Sequence, residues 1–326
     1  MIVVERILVT GITGFIGTHL AQRLVNEGYD VYGITKPSVT KDMSKFNEFL
    51  KDVTVLSCDV SDYYSLYNEL KGADADVIVH LAALSPVRDS FEKPFSYLRN
   101  NMDGTVDIAH AILNLPDFKR RRLIYASTAE VYGVQTSKLV KEDAPLNPTS
   151  PYAVTKAATD MYLRMMAKVY GMNTTVMRCT NSYGRKLDPS FFVEYLIVNM
   201  LKGNKVYIGA PDSMRDYMYI DDHVDAYVKA IQVEHASGEA FNFGAGAGLT
   251  NKVVAFKIAD MLGYDRKNII LGKYPPGYPL RPIESDQPSI NLDASKAKKV
   301  LGWSPKTDLD DGLKKTAEYW RKKLKL

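Results

Sequence analysis

A hydroxyl, a carboxylate, a phenol and an ammonium group lie close together in the middle of this sequence, a set typical of acid–base chemistry. The residues that carry these groups are Thr128, Glu130, Tyr152 and Lys156. A free phenol, with a pKa of about 10, is too weak an acid to exchange protons at neutral pH. A nearby cation favours the phenolate and lowers that pKa. Tyr152 and Lys156 are four residues apart, so a helix would place them on one face. We therefore predict that Tyr152 is a proton shuttle beside a redox cofactor.

A glycine-rich turn near the N-terminus indicates where such a cofactor would bind. The apolar run Ile7–Val9 leads into the turn, and an amphipathic stretch closed by Gly28 follows it. This order predicts strand, turn and helix. The glycines permit a close backbone approach, so that a dinucleotide pyrophosphate can rest on the N-terminal end of the helix. The cofactor contacts predicted in this turn are Gly11, Thr13, Gly14, Phe15, Ile16 and Gly17.

The end of the second predicted strand bears on which dinucleotide is bound. NAD sites place an acidic residue there, roughly twenty positions beyond the turn, whereas NADP sites place a cation or small polar groups for the 2′-phosphate. Here Val31–Ile34 is followed by Thr35 and Lys36, and no acid ends the strand. This favours NADP, with NAD as the alternative if Lys36 is only a solvated loop lysine.

Composition and charge restrict the class of protein. A chain of 326 residues with 46% hydrophobic residues can bury a large core, in one large domain or two closely joined ones. The net charge of +4 gives no electrostatic case for nucleic acid as the main partner. Because the sequence has no leader and no apolar run of membrane-spanning length, we expect a cytoplasmic protein. Cys58 and Cys179 lack metal-ligand spacing and are predicted to be packing residues, so no metal site is expected.

Apolar runs recur along the chain and are mostly separated by helical patterns, which predicts an α/β fold with a doubly wound parallel sheet. The runs are Ile7–Val9, Val31–Ile34, Val53–Leu56, Val77–Leu81, Leu123–Tyr125, Thr175–Met177 and Ala240–Phe243. Asp59 and Val60 follow the third run, at the carboxyl edge where such sheets bind ligands. Asp59 is therefore either an adenine contact or a solvated turn residue.

Beyond about Arg178 the alternation loosens and segments rich in Pro, Gly, Tyr and Arg appear. We interpret these segments as a smaller substrate domain packed over the sheet edge, with the chain returning to the sheet near Ala240. The predicted domains are residues 1–178 plus about 216–244 for the dinucleotide, and 179–215 and 245–326 for the substrate.

Together these motifs resemble those of the extended short-chain dehydrogenase/reductase family, in the branch that modifies nucleotide sugars. The resemblance covers nearly the whole chain, through Gly11–Gly17, Asp59-Val60, His80–Ala83, Asn101, Gly104-Thr105, Ser127-Thr128, Tyr152–Lys156, Arg178–Gly184, Arg215–Tyr217 and Leu301–Trp303. It implies a Rossmann sheet with a smaller C-terminal α/β substrate domain, and a homodimer or tetramer built from the helices after Asn100 and around Tyr152. It also implies cofactor contacts from Asp59, Val60, Leu81, Ala82, Ala83, Asn100, Tyr152, Lys156 and Arg178.

Within that family, the reaction type depends on Glu130. Members that remove water across C5 and C6 of a hexose carry a glutamate at this place, whereas 4-epimerases usually carry a small residue. The segments Leu84–Val87 and Ser90-Phe91, with Lys36, are most similar to GDP-mannose 4,6-dehydratases. The resemblance therefore implies a nucleotide-sugar 4,6-dehydratase with an internally recycled cofactor.

The implied mechanism gives each catalytic residue a role. Tyr152, aided by Thr128 and Lys156, takes the O4 proton while hydride passes from C4 to the nicotinamide. Glu130 then removes the C5 proton, the C6 hydroxyl leaves as water, and hydride returns to C6. Ala129 departs from the family pattern, because relatives place a proton donor there. Glu130 or a bound water must then protonate the leaving group.

Substrate contacts are carried over from the same resemblance. They are Ser85, Thr128, Glu130, Asn181, Arg215 and Arg281. The two arginines are assigned to the diphosphate, because a guanidinium group binds two phosphate oxygens at once; the alternative is a surface ion pair for each. The base is not readable from the residues: guanine is favoured by resemblance alone, and uracil, cytosine and thymine are the alternatives.

Other functions remain open at this stage. A nucleotide-sugar 4-epimerase would share Tyr152 but make no use of Glu130, and an NADPH-dependent 4-ketoreductase would consume reduced cofactor. A non-catalytic NADP-binding protein would need neither the hydroxyl of Thr128 nor the pair Tyr152 and Lys156, and their presence argues against it.

Overall fold

A computed structural model of the chain describes residues 5–233, 236–278, 282 and 285–326. Its strands are β1 Arg6–Thr10, β2 Asp30–Thr35, β3 Thr54–Ser57, β4 Val77–His80, β5 Arg122–Thr128, β6 Asn173–Cys179, β7 Asn181–Tyr183, β8 Val206–Ile208, β9 Met214–Arg215, β10 Tyr217–Tyr219, β11 Ala240–Phe243, β12 Leu249–Thr250, β13 Ile269–Leu271 and β14 Ser289–Ile290.

The α-helices are α1 Phe15–Asn26, α2 Pro37–Thr40, α3 Tyr63–Ala73, α4 Asp89–Glu92, α5 Pro94–Tyr97, α6 Gly104–Leu113, α7 Pro151–Tyr170, α8 Phe192–Leu201, α9 Ile220–Gln232, α10 Asn251–Leu262, α11 Ser295–Leu301 and α12 Leu309–Leu324. A π-helical turn, Leu98–Asp103, leads into α6, and a 3₁₀ turn, Ala129–Tyr132, follows β5.

Seven strands form one parallel sheet in the order β11-β6-β5-β4-β1-β2-β3. The chain runs outward from β1 to β3 and then crosses back to β4 on the other side of β1. The carboxyl ends of β1 and β4 therefore border the crevice where such sheets bind ligands. The seven strands coincide with the seven apolar runs of the sequence, so the predicted doubly wound α/β fold is confirmed.

Helices cover both faces of this sheet, which explains why its strands are apolar on both sides. On one face α1, α9 and α11 pack against the sheet in one apolar cluster. On the other face α3, α6 and α7 form a second cluster. The helix that carries Tyr152 and Lys156 is α7, so the predicted helical placement of this pair is confirmed.

A third cluster forms a C-terminal lobe, which we define as α8, α10 and α12 with the short strands β8 and β13. Residues 295–303 were predicted to belong with this part of the chain, but α11 and Trp303 pack on the sheet instead. The fully buried ring of Trp303 lies 5.0 Å from that of Phe243, and its Nε1 donates to the carbonyl of Asp222 at 3.0 Å. Burial of this large apolar ring stabilises the packing of residues 295–303 against the sheet.

Both cysteines, Cys58 and Cys179, are buried, in agreement with their prediction as packing residues. Among the helices in the described ranges, none is long and apolar enough to cross a membrane.

Candidate active site

The backbone at the glycine turn approaches its neighbours too closely to admit side chains. A Cβ on Gly17 would lie 2.3 Å from the carbonyl oxygen of Gly11, and one on Gly11 would lie 2.8 Å from the amide nitrogen of Ala82. Gly11 also has a φ of +69°, which glycine adopts without strain. At the start of α1, Gly14 offers no side-chain cap, and the first turn contains no acidic residue. This end can therefore accept an anionic pyrophosphate, and the predicted residues fit a dinucleotide.

A buried histidine ties together the two strand ends that border this turn. Nδ1 of His80 lies 2.7 Å from Oγ1 of Thr10, and its Nε2 lies 3.1 Å from Oγ1 of Thr105 on α6. Thr10 also accepts from the amide of Ala82 at 3.2 Å. Burial lowers the pKa of His80 to about 3. The ring is therefore neutral and fixes the carboxyl edge of β1 against that of β4.

The loop after β4 contains three of the predicted cofactor residues, Leu81, Ala82 and Ala83, and Asn101 fixes its shape. Asn101 accepts from the amide of Leu84 at 2.8 Å and donates to its carbonyl at 3.0 Å. The neighbouring Asn100, predicted as a cofactor contact, is buried in the same π-helical turn. Such turns interrupt helices at functional sites in many proteins.

The residues predicted to meet the adenosine end lie at the carboxyl ends of β2 and β3. Thr35 is buried, and its hydroxyl lies 2.8 Å from that of Thr13. Nζ of Lys36 lies 3.7 Å from a carboxylate oxygen of Asp59, and both side chains are exposed. Partial burial opposes ionisation of Asp59, but hydrogen bonds from Ser61 and the charge of Lys36 outweigh it and lower the pKa of this carboxyl. Lys36 and Asp59 thus form one exposed pair at this edge.

Val60 is buried beneath the start of α6, where it packs against Gly104. A Cβ on Gly104 would lie 2.9 Å from a methyl carbon of Val60. This predicted cofactor residue therefore also supports the helix that carries Thr105.

Tyr152 lies near the start of α7, which Ser150 caps by accepting from the amide of Ala153 at 3.1 Å. Burial raises the pKa of the Tyr152 phenol, and a hydrogen bond with the Thr128 hydroxyl opposes that rise. Lys156 donates to the carbonyl of Ala126 at 2.6 Å, and burial lowers the pKa of its ammonium group to about 7. From the sequence we predict a lowered phenol pKa. In this structure desolvation raises it instead, and the charge of Glu130 adds to the rise.

Glu130 lies in the 3₁₀ turn after β5, at the same edge of the sheet. Its amide donates to Oγ1 of Thr128 at 3.2 Å, and its carboxylate accepts from Nε2 of Gln287 at 2.9 Å. The carboxylate is near enough to Tyr152 to contribute to the raised pKa of the phenol. The fold therefore brings together Thr128, Glu130 and Tyr152. Ala129 lies in an apolar cluster and offers no proton donor there.

The predicted substrate residues are less closely grouped. Arg215 on β9 is buried, with its guanidinium 3.0 Å from a carboxylate oxygen of Asp286 and 2.8 Å from the carbonyl of Gln287. Ser85 and Asn181 are exposed, after β4 and at the start of β7. Arg281 lies outside the described residues. Of these, Arg215 is linked to Glu130 through the contacts of Gln287.

Arg178 was predicted to contact the cofactor, but the structure gives it a different role. Its guanidinium pairs with both carboxylate oxygens of Asp160 on α7, at 2.8 and 3.0 Å, and both residues are fully buried. It also donates to the Tyr132 hydroxyl at 2.7 Å and to the carbonyl of Glu142 at 3.0 Å. These four bonds hold the guanidinium within the protein, so we correct the assignment to a structural one.

Sequence reasoning did not identify Asp160 or Gln287. Asp160 lies four residues after Lys156 and eight after Tyr152, so its place on the same face of α7 was a usable signal. Gln287 lies in an irregular segment where no periodicity marks a buried residue, and only the fold brings it to Glu130.

The chain is similar in sequence and in fold to known proteins over nearly its whole length. Residues 8–316 match the family model described as GDP-mannose 4,6 dehydratase. A UDP-glucose 4-epimerase of Mycolicibacterium smegmatis is 32% identical, covering 98% of this chain and 99% of its own. A dTDP-glucose 4,6-dehydratase of Escherichia coli is 29% identical, covering 97% of this chain and 92% of its own. A crystal structure of dTDP-glucose 4,6-dehydratase from Streptomyces venezuelae with NAD bound has a TM-score of 0.84 at 27% identity, covering 98% of this chain and 97% of that one.

The structural role of Arg178 can be tested by Arg178→Met. Without Arg178, the buried Asp160 keeps only the partly exposed Arg164 as its charged partner. We therefore expect the free energy of unfolding in denaturant titrations to fall by about 3 kcal/mol, the lower end of the cost of breaking a buried ion pair. Arg164→Met is the matched control, because Arg164 pairs with the same Asp160 from a side chain that is 39% exposed. That variant should lose no more than about 1 kcal/mol. Unchanged stability of Arg178→Met together with lost dinucleotide affinity would restore the cofactor assignment.

Proposed function

This chain belongs to the family of nucleotide-sugar 4,6-dehydratases and 4-epimerases within the extended short-chain dehydrogenases/reductases, and on that premise we propose that it is a 4,6-dehydratase. The reaction would convert a nucleoside diphosphate hexose into its 4-keto-6-deoxy form plus water. The observation that carries the proposal is the carboxylate of Glu130 beside the phenol of Tyr152. A carboxylate at this place has a task in dehydration and none in 4-epimerisation.

The chemistry of the sugar explains why both groups are needed. A C5 proton of a hexose is too weakly acidic for a carboxylate to remove, but once C4 is a ketone the resulting anion is an enolate. A bound nicotinamide would supply a hydride acceptor for C4 and a hydride donor for C6, and so would end in its starting state. The protein must supply one group for the O4 proton and another for the C5 proton.

Tyr152 is the group for O4, because its hydroxyl is fixed by Thr128 at the end of β5. Glu130 takes the C5 proton while the C5–H electron pair forms the C5–C6 double bond and the C6–O bond breaks. The departing oxygen takes that proton from Glu130 and leaves as water, because the methyl group of Ala129 can donate none. With C6 reduced to a methyl group, C5 would regain a proton from solvent. The sugar has then lost one water overall.

The substrate would bind at the carboxyl edge of the sheet, near the segment after β4 and the short strands β7 and β9. We assign Arg215, and by resemblance Arg281, to the diphosphate, and Ser85 and Asn181 to the sugar side. A phosphate at Arg215 would compete with its bond to Asp286. The family match makes GDP-mannose the first substrate to test, and the curated relatives make dTDP-glucose and UDP-glucose the next.

A 4-epimerase is the second candidate, favoured by the identity of 32% with a UDP-glucose 4-epimerase and by the missing donor at Ala129. It would invert C4 and would leave the C5 hydrogen in place. A 4-ketoreductase would instead consume reduced cofactor in proportion to product.

Incubation in heavy water with each nucleotide sugar separates these functions. We expect a 4-keto-6-deoxy product with deuterium at C5, detected by mass spectrometry and NMR, because the C5 proton is exchanged with solvent. Glu130→Gln should lower this turnover by about 100-fold to 10,000-fold, the usual contribution of a general base. A C4-inverted sugar without label, formed equally well by Glu130→Gln, would overturn the dehydratase in favour of the epimerase.

For the cofactor we propose NADP, within the broader class of nicotinamide dinucleotides that the family uses. Support comes from Lys36 at the end of β2, from the small polar Thr35 beside it, and from the lack of an acid at this position. The exposed pair between Lys36 and Asp59 is of a kind worth roughly 0–1 kcal/mol, so a 2′-phosphate can replace the carboxylate as partner. The opposing observation is the structural neighbour with NAD bound.

Titration calorimetry with both dinucleotides tests this choice. Lys36→Gln should weaken NADP binding by about 10-fold or more while leaving NAD binding nearly unchanged, because only NADP carries the phosphate that the cation would bind. Lys51→Gln is the matched control, since Lys51 is exposed before β3, at the opposite edge of the sheet. Tighter binding of NAD than of NADP by the unaltered protein would contradict the proposal.

We also propose that the chain forms a homodimer through α7 and the segment before α6. Met161, Met165 and Val169 form an exposed apolar stripe at four-residue spacing on α7. Leu98 and Met102 are exposed on the neighbouring π-helical turn, which packs against α7. A second copy of the chain would cover this surface with a matching apolar one, as closed two-fold symmetry requires.

Met165→Glu should convert the dimer to a monomer in analytical ultracentrifugation, because it would bury a charge at the centre of the stripe. Val300→Glu is the control, since Val300 is similarly exposed but lies on α11, away from this surface. A monomeric unaltered protein, or a Met165→Glu dimer, would contradict this interface.

A further inference from the structure

Gln287 stands out because its side chain is buried against the proposed catalytic base. It is 1% exposed and contacts Glu130, Arg215 and Thr149, which lies just before the helix that carries Tyr152. Its Nε2 donates to the carboxylate oxygen Oε2 of Glu130 at 2.9 Å and to the backbone carbonyl of Glu130 at 3.3 Å. One amide group thus holds both the side chain and the backbone of this residue.

We propose that Gln287 is a positioning residue that sets the orientation of the Glu130 carboxylate for removal of the C5 proton. This inference rests on the proposed dehydratase function and adds a residue outside the predicted catalytic set. A hydrogen bond at Oε2 fixes the carboxylate plane and therefore the direction of its second oxygen. Hydrogen bonds to charged groups are worth more than neutral ones, so the amide also favours the ionised form that a base requires.

The side-chain amide of Gln287 is poorly suited to a purely stabilising role, which favours a role in the site. Its Oε1 is buried and has no hydrogen-bond partner among the described residues. An unsatisfied buried carbonyl costs roughly 1–3 kcal/mol. A glutamine retained only for packing would be expected to satisfy both ends of its amide or to be replaced by an apolar residue. Here Nε2 donates to the carboxylate of Glu130, whereas Oε1 accepts no hydrogen bond within the described part of the protein.

Hydrogen bonds and an ion pair hold the backbone around Gln287 in place. Its carbonyl accepts from the guanidinium of Arg215 at 2.8 Å, and the preceding Asp286 pairs with the same guanidinium at 3.0 Å. In the next step along the chain, the carbonyl of Pro288 accepts from the amide of Met214 at 2.9 Å. The base is therefore held by a segment anchored on β9, the strand that carries the arginine assigned to the substrate diphosphate.

A weaker contact connects the same amide to the proton shuttle. Nε2 of Gln287 lies 3.4 Å from the hydroxyl of Thr149, which in turn donates to the carbonyl of Ser285 at 3.2 Å. Thr149 directly precedes Ser150, the cap of the helix that carries Tyr152. Gln287 therefore contacts both the segment that holds Glu130 and the segment that precedes the helix of Tyr152. Its hydrogen bond to the carboxylate is the shortest of its side-chain bonds.

The test is Gln287→Met, which keeps the length of the side chain and removes the donor. With the best nucleotide sugar, we expect kcat to fall by about 10-fold to 100-fold and KM to change by less than about 3-fold. Partial unfolding would also lower the apparent kcat, but it would leave the isotope effects of the remaining active enzyme unchanged. Substrates deuterated at C5 or at C4 then locate the slowed step. The C5 isotope effect on kcat should rise and the C4 effect should not, because only proton removal by Glu130 is impaired.

Gln287→Glu and Ser289→Ala complete the design. The first replaces the donor by a second carboxylate and should lower kcat further than Gln287→Met. The second alters an exposed position two residues along the same segment and should leave both constants unchanged. Thermal unfolding of each variant checks that it is folded, and a crystal structure of Gln287→Met should show the Glu130 side chain displaced or in several conformers.

The outcomes separate this inference from the proposed function. If the unaltered protein forms no 4-keto-6-deoxy product, the dehydratase proposal fails. If it forms that product and Gln287→Met keeps its kcat and its C5 isotope effect, the dehydratase stands and the role of Gln287 is overturned.

Discussion

The buried ion pair between Asp160 and Arg178 is the constraint on which the arrangement of the site depends. Asp160 belongs to the helix that carries Tyr152 and Lys156, and Arg178 belongs to the neighbouring strand β6. Through the hydroxyl of Tyr132 the same guanidinium holds the 3₁₀ turn that contains Glu130. Two charges removed from water are costly unless they are fully paired, so this network allows little displacement of helix, strand and turn.

The cofactor side of the cleft is set by close backbone packing rather than by charge. Gly11 and Gly17 leave no room for side chains, and the neutral His80 joins the ends of β1 and β4 across the point where the strand order reverses. Burial has opposite effects on the two titratable groups beside this cleft, raising the pKa of Tyr152 and lowering that of Lys156 to about 7. The phenol of Tyr152 is thus neutral and must lose its proton before it can take one from a substrate, whereas the ammonium group of Lys156 gives up its proton more readily than usual.

One fold here serves two reactions, since both 4-epimerases and 4,6-dehydratases resemble the chain over nearly its full length. Fold alone does not specify chemistry, and the difference that we propose between the two reactions is a second proton-transfer group at the end of β5. In this protein the carboxylate of Glu130 is present and accepts a hydrogen bond from the side-chain amide of Gln287, whereas Ala129 contributes only a methyl group. The reaction would therefore rely on a single carboxylate for both removal and delivery of a proton.

Local patterns in the sequence determined the strand positions, the glycine turn and the helical spacing of Tyr152 and Lys156, because each is encoded within a few consecutive residues. The family resemblance assigned Arg178 to the cofactor, and no local pattern marked Gln287. Arg178 finds its carboxylate 18 residues away, and Gln287 meets Glu130 across 157 residues. Only the tertiary structure decided these contacts and the pKa directions of the buried groups, because pairing and desolvation depend on which distant segments pack together.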